Sequence, residues 1–84
     1  MRLGILGGTF DPIHNGHIAA ARASAQALSL DRILLIPAGN PQHRVSAPVA
    51  TAEQRYEMVV AACAEQSAAD VSLQPSRIDI DRAR

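Results

Sequence analysis

The sequence predicts an α/β protein built on a small parallel sheet, in the order β-α-β-α-β. Three observations carry this. Short apolar runs (L-G-I-L, R-I-L-L-I and V-S-L) alternate with longer stretches of helical period. The runs are separated by Gly, Pro and Asn clusters that act as turns. The middle run, Arg32–Ile36, has no polar alternation after its first residue, as expected of a strand covered on both faces of a parallel sheet. Strands alternating with helices then imply right-handed crossovers.

Leu3–Leu6 reads as a short buried strand ended by Gly7-Gly8, two residues that permit positive-φ backbone and close approach of a ligand. Asp11-Pro12 is a turn signal. From Gly16 to about Leu30 the pattern is helical, with Ile18, Ala21, Ala25 and Leu28 on one face and Asn15 as its N-cap. The strand Arg32–Ile36 is ended by Pro37-Ala-Gly-Asn-Pro41. A loop with His43, Arg44 and Pro48 then runs to about Val49. Thr51-Ala-Glu-Gln54 has the form of a capping box, and Tyr56, Val59, Val60 and Cys63 make the apolar face of the helix behind it. Asp70–Leu73 is the third strand. Ser76–Arg84 alternates in part, at Ile78 and Ile80.

The 84 residues suffice for one small domain. Formal net charge is zero, all eight cations are Arg, and no basic field exists to grip nucleic acid. The single cysteine, Cys63, rules out an internal disulfide and reads as a buried thiol. No apolar run approaches the ~18 residues of a membrane span. No membrane partner is expected, and the cytoplasm is the default location.

The chemistry concentrates in G-G-T-F-D-P-I-H-N-G-H, Gly7 to His17, which lies beyond the carboxyl end of the first strand, where open α/β sheets bind ligands. Amide N–H groups and the dipole at a helix start favour anions. Glycines let a phosphate approach the backbone, and Thr9 adds a hydroxyl. His14 and His17 stand three apart at the helix start, where both could face one anion. The string is neither a Walker A loop nor G-x-G-x-x-G. Asp11, His14 and His17 could hold a metal, but nothing nearby completes a convincing site, so no metal site is assigned. Taken singly, either His is an ordinary surface residue. Taken as one string in a strand-turn-helix setting, they point to phosphate. Asp11 reads as an Asx-type turn residue, Phe10 as packing under the turn, and Arg55 as solvated or ion-paired.

The string G-G-T-F-D-P-I-H-N-G-H resembles the first signature of the H-x-G-H nucleotidyltransferase superfamily, a Rossmann-like fold. Within it the sequence is most similar to the bacterial nicotinate-nucleotide adenylyltransferases. His14, the segment N-P-Q-H-R (Asn40–Arg44) and E-Q-R-Y-E-M-V (Glu53–Val59) support that assignment. The resemblance covers essentially the whole chain, residues 1–84 being the N-terminal part of a single nucleotidyltransferase domain. The segments P-S-Y-T and I-S-S-T-x-x-R, with which such enzymes continue, are not in it. It implies adenylyl transfer from ATP to nicotinate mononucleotide, giving nicotinate adenine dinucleotide and pyrophosphate, in NAD biosynthesis. It implies His14 and His17 as catalytic residues, and Gly7, Gly8, Thr9, Phe10 and Gly16 beside them as ATP phosphate contacts. His43 and Arg44 would lie in the mononucleotide loop, and Mg²⁺ would arrive carried by ATP. Arg77, Arg82 and Arg84 would lie on a surface that the rest of such an enzyme covers. The alternatives are another adenylyl- or cytidylyltransferase, a non-catalytic nucleotide-binding fragment, or a structural fragment that pairs through its sheet edge.

Overall fold

A computed structural model of the chain describes residues 2–39, 50–66 and 71–82. Its elements are β1 (Leu3–Gly8), α1 (Asn15–Leu28), β2 (Arg32–Pro37), α2 (Ala52–Gln66), β3 (Ser72–Pro75) and α3 (Ile78–Arg82). The sheet is parallel in the order β1-β2-β3, with Leu3 opposite Arg32, Gly8 opposite Pro37, and Ile33 opposite Leu73. Both crossovers step the same way. Right-handed connections therefore put α1 and α2 on one face of the sheet. The core forms there: Ile18, Ala21 and Ala25 of α1, Val59 and Cys63 of α2, and Ile33, Leu35 and Leu73 of the sheet make one buried cluster with Phe10 and Val71.

The alanines at 21 and 25 let α1 lie close to the strands. Burial pushes the Cys63 thiol up to about 11, which leaves it protonated and inert at neutral pH. The capping box at Thr51 forms as the sequence predicts. Gln54 N–H donates to Thr51 Oγ1 at 3.2 Å, and Thr51 N–H donates to Gln54 Oε1 at 3.0 Å.

Several expectations are corrected. β1 is not buried throughout, since it is an edge strand and only its helix-side residues are covered. Leu3 and Ile5 are 49% and 67% exposed. β2 is not evenly covered either: Ile33, Leu35 and Pro37 are buried, while Arg32, Leu34 and Ile36 are half-buried. Leu28 is exposed and lines an open groove of about 250 Å³ with Gly4, Ile5 and Leu30, beside the edge strand. On α2 the buried stripe is Arg55, Val59 and Cys63, spaced by fours, and Val60 turns outward. The third strand starts two residues late, at Ser72, and Asp70 lies outside the described residues. The tail folds as the short helix α3 against β2, with Ile80 buried outside the main cluster. Its first-turn Asp79 and Asp81 suit the positive end of the helix dipole. Arg77 and Arg82 both have acidic partners, and Arg82 stays 74% exposed. Arg77 grips Glu53 through two bonds of 2.6 and 2.7 Å and lies over the Tyr56 ring, and Arg82 pairs with Asp79. Arg84 lies outside the described residues.

The face reassignment on α2 is testable in urea. Leu35→Ala, at a fully buried site, should cost about 2–5 kcal/mol of unfolding free energy. Val60→Ala should stay within about 0.5 kcal/mol of the parent. A large loss at Val60 would contradict the outward placement.

Candidate functional site

The carboxyl ends of β1 and β2 and the start of α1 meet at one end of the sheet. The strands stay paired to their last residues, where Ala38 N–H donates to Gly8 O at 2.8 Å. Gly7 and Gly8 belong to β1, and neither has positive φ. The left-handed residue of the turn is instead Phe10, at φ 53. An L residue there carries roughly 1–2 kcal/mol of steric cost, offset here by burial of the ring, which is 3% exposed. The peptide between Asp11 and Pro12 is cis.

Phe10 supports the first histidine contact. Its ring meets His17 edge-to-face, centroids 4.9 Å apart. The His17 ring in turn lies 3.9 Å from that of His14, tilted by 35°. The N-cap of α1 is His14 rather than the expected Asn15. Gly16 N–H donates to His14 Nδ1 at 3.0 Å, and His14 N–H donates to His17 Nδ1 at 3.0 Å. The motif is thus a capping box closed by two imidazoles.

This geometry fixes the tautomers. A backbone N–H can only donate, so each Nδ1 is an acceptor and carries no proton. A neutral imidazole then holds its proton on Nε2, and each ring presents one Nε2–H donor. Gly16 is needed for a related reason. A Cβ at this position would sit 2.7 Å from His14 Cε1 and 2.9 Å from Nδ1. The ring can fold back onto the helix only because residue 16 has no side chain.

The source of anion donors also changes. The amides of Gly16, His17 and Ile18 all bond to His14, the last two to its carbonyl oxygen at 3.0 and 3.4 Å. Imidazole N–H groups thus join the Asn15 amide among the donors this helix end can offer a ligand, with the dipole behind them. Burial lowers the pKa of His17 first, and the facing His14 lowers it second.

The structure thus brings Gly7, Gly8, Thr9, Phe10, His14, Gly16 and His17 to one end of the sheet. His43 and Arg44 lie outside the described residues. Asp11 also reaches beyond the turn, its Oδ1 accepting from the distant Ala50 N–H at 3.1 Å. Among the described residues, no three His, Cys, Asp or Glu side chains cluster so as to hold a metal ion. No helix of the described residues is long and apolar enough to cross a membrane.

Of the two alternatives for Arg55, the solvated one is corrected. Arg55 is not solvated but 2% exposed. Its Nη1 donates to Thr9 O at 2.9 Å and Ala38 O at 2.6 Å, and its Nε donates to Ala50 O at 3.3 Å. The signal was present: Arg55 continues the Val59–Cys63 stripe back by one more step of four.

Comparison with known proteins places the chain in a family. The family model described as cytidylyltransferase-like matches residues 5–81. A probable nicotinate-nucleotide adenylyltransferase of Chromobacterium violaceum is 49% identical over 83 residues, covering 99% of this chain and 37% of that protein. One of the same description from Thermus thermophilus is 49% identical over 82 residues, covering 98% and 41%. Another, from Corynebacterium kroppenstedtii, is 49% identical over 81 residues, covering 96% and 36%. The chain therefore spans about two fifths of the length of these relatives.

Two outcomes test the double cap. Gly16→Ala, which in an ordinary helix position gains about 0.5–1 kcal/mol, should here destabilise, because it displaces the His14 cap, itself worth about 1 kcal/mol. The ¹⁵N shifts of His14 should then move from a pure Nε2–H pattern to a tautomer mixture. The second outcome concerns pH. The fold keeps His17 neutral where the unfolded chain, with an ordinary value of 6.5, takes up a proton. Its contribution to stability is complete above about pH 6.5 and declines as pH falls below it. Thermal melts at about pH 7.5 and 5.5 should differ more for the parent than for His17→Gln. Equal differences would remove His17 from the pH response.

Proposed function

The chain belongs to the cytidylyltransferase-like family, and we propose that it forms the phosphate-binding part of an adenylyltransferase acting on nicotinate mononucleotide. The observation that carries the reading is the pair of Nδ1-anchored imidazoles, which offers two Nε2–H donors at a helix start. In the reaction a phosphate oxygen of nicotinate mononucleotide attacks the α-phosphorus of ATP. A P–O bond forms there, the bond from the α-phosphorus to the bridging oxygen breaks, and pyrophosphate leaves with that electron pair. Nicotinate adenine dinucleotide, a precursor in NAD biosynthesis, is the other product.

No general base is required. The second pKa of a phosphate monoester is about 6, so the nucleophile is already ionised at neutral pH. The work is to bring two anions together and to stabilise charge on the α-phosphoryl and leaving groups, which is positioning and electrostatics. His14 and His17 donate from Nε2 to phosphate oxygens, and His17, backed by Phe10, contributes more in the transition state. Gly7, Gly8 and Thr9 line the path of the phosphates, and His43 and Arg44 contact the mononucleotide. Mg²⁺ enters as part of Mg-ATP, held mainly by phosphate oxygens and water. The names of the relatives support the nicotinate substrate. The family description favours a second reading, cytidylyl transfer, in which the same donors serve CTP.

Calorimetric titration with Mg-ATP tests the phosphate site, with CTP as competitor and pyrophosphate release in the presence of nicotinate mononucleotide as the activity readout. Parent chain should bind, and His17→Ala should weaken binding at least tenfold. In a protein of the relatives' full length the same change should lower turnover about 100- to 1,000-fold. Parent that binds neither nucleotide would end the phosphate reading. Tighter binding of CTP would select the cytidylyl alternative.

A further inference from the structure

Arg55 has no part in the phosphate chemistry just described, yet its guanidinium is buried at the same end of the sheet. We propose that Arg55 is a positioning residue. By holding the carbonyl oxygens of Thr9, Ala38 and Ala50, it sets the histidine-bearing turn against both ends of the segment between Gly39 and Ala50. The inference rests on the phosphate-site reading for its consequence in binding, but not for its effect on the histidines.

The three carbonyls come from three separate stretches of chain. Thr9 follows β1 and leads into Phe10, Ala38 follows β2, and Ala50 precedes the capping box of α2. Thr9 and Ala38 share one nitrogen, Nη1, so their oxygens converge on a single point. Ala50 is held on both sides, its C=O by Arg55 Nε and its N–H by Asp11 Oδ1. Asp11 belongs to the turn itself, so the contacts close a ring from Thr9 through Arg55 and Ala50 back to Asp11.

The route to the histidines is short. The Thr9 carbonyl belongs to the peptide that precedes Phe10. Fixing that oxygen fixes the plane from which Phe10 departs in its left-handed conformation. The Phe10 ring sets the edge against which His17 rests, and His17 Nδ1 holds the His14 amide. Rotation of the Thr9 peptide would carry through each of these contacts. A lysine could keep the charge but not the arrangement, because its three donors radiate from one atom on a flexible stem while the guanidinium fork is planar and rigid. Geometry rather than charge should therefore decide the outcome of substitution.

The test compares Arg55→Lys and Arg55→Met with the parent by histidine ¹⁵N spectra without ligand and by Mg-ATP titration. Folded variants should lose the pure Nε2–H signature of His17 and bind Mg-ATP about 10- to 100-fold more weakly, Lys no better than Met. A folded Arg55→Lys with the parent's histidine signature and affinity would overturn the proposal. If the parent itself fails to bind Mg-ATP, the phosphate reading falls, and the ligand-free histidine signature still decides the role of Arg55. If neither variant folds, the parent supplies the measurement. The Arg55 guanidinium N–H resonances should be resolved and slow to exchange with or without Mg-ATP, and a guanidinium that rotates and exchanges freely would overturn the proposal.

Discussion

A guanidinium taken out of water must find an acceptor for its N–H groups, and Arg55 finds carbonyl oxygens at the ends of two strands and ahead of a helix. Those oxygens need it as well. The ladder of a parallel sheet stops where its strands diverge, and the last carbonyls face inward without a neighbouring strand. Hydrogen bonds to a charged donor contribute about 1.5–3 kcal/mol each, and a buried acceptor left bare costs about 1–3 kcal/mol. In so small a domain such terms are a large share of the whole. The end of the sheet that carries the candidate site is thereby held from below. Val59 and Cys63, on the same stripe of α2, bind that helix to the core and so hold Arg55 in place.

Rigidity beneath the site matters because the donors above it are few. With the amides of Gly16, His17 and Ile18 engaged by His14, two ring nitrogens and the Asn15 amide are the donors left at the helix start. Each imidazole then has two jobs that reinforce one another. The bond that closes the helix end also removes one rotational and one tautomeric freedom from the ring. A donor fixed in advance reorganises less when charge develops on a phosphate. Adding a proton to either Nδ1 would break a backbone bond, so the proposed reading rests on oriented neutral donors and the helix dipole.

Much of this was legible in the sequence, and the failures share causes. The β-α-β-α-β order, the Thr51–Gln54 cap and the Ile18–Ala21–Ala25 stripe follow from local period and capping chemistry, which a chain carries on its face. The location of the site follows from the strand-turn-helix context of G-G-T-F-D-P-I-H-N-G-H. Coverage beyond an element's own period does not follow. Leu3, Ile5 and Leu28 look buried from composition and are open because none of the described helices covers them. Arg55 looks solvated because charged residues usually are, although it continues the Val59–Cys63 stripe, and the carbonyls that receive it lie on other stretches of chain. At the turn, the glycines drew the expectation of positive φ, but the strand kept them extended and a buried aromatic took the strained place.

The spacing H-x-G-H acquires a local reason from this. In a capping box the side chains at the N-cap and N3 positions each reach the backbone at the helix start, and these positions are three residues apart. Histidines at 14 and 17 occupy them. A glutamate at N3 would close the box equally well, but it would put a negative charge beside the phosphate of the proposed reading. An imidazole closes the box with one nitrogen and keeps an N–H on the other. The residue between the histidines that must be small is 16, because the N-cap ring folds over it, and not 15. The motif is therefore a helix start whose capping groups have been chosen to leave donors over, and its glycine is the space that choice requires.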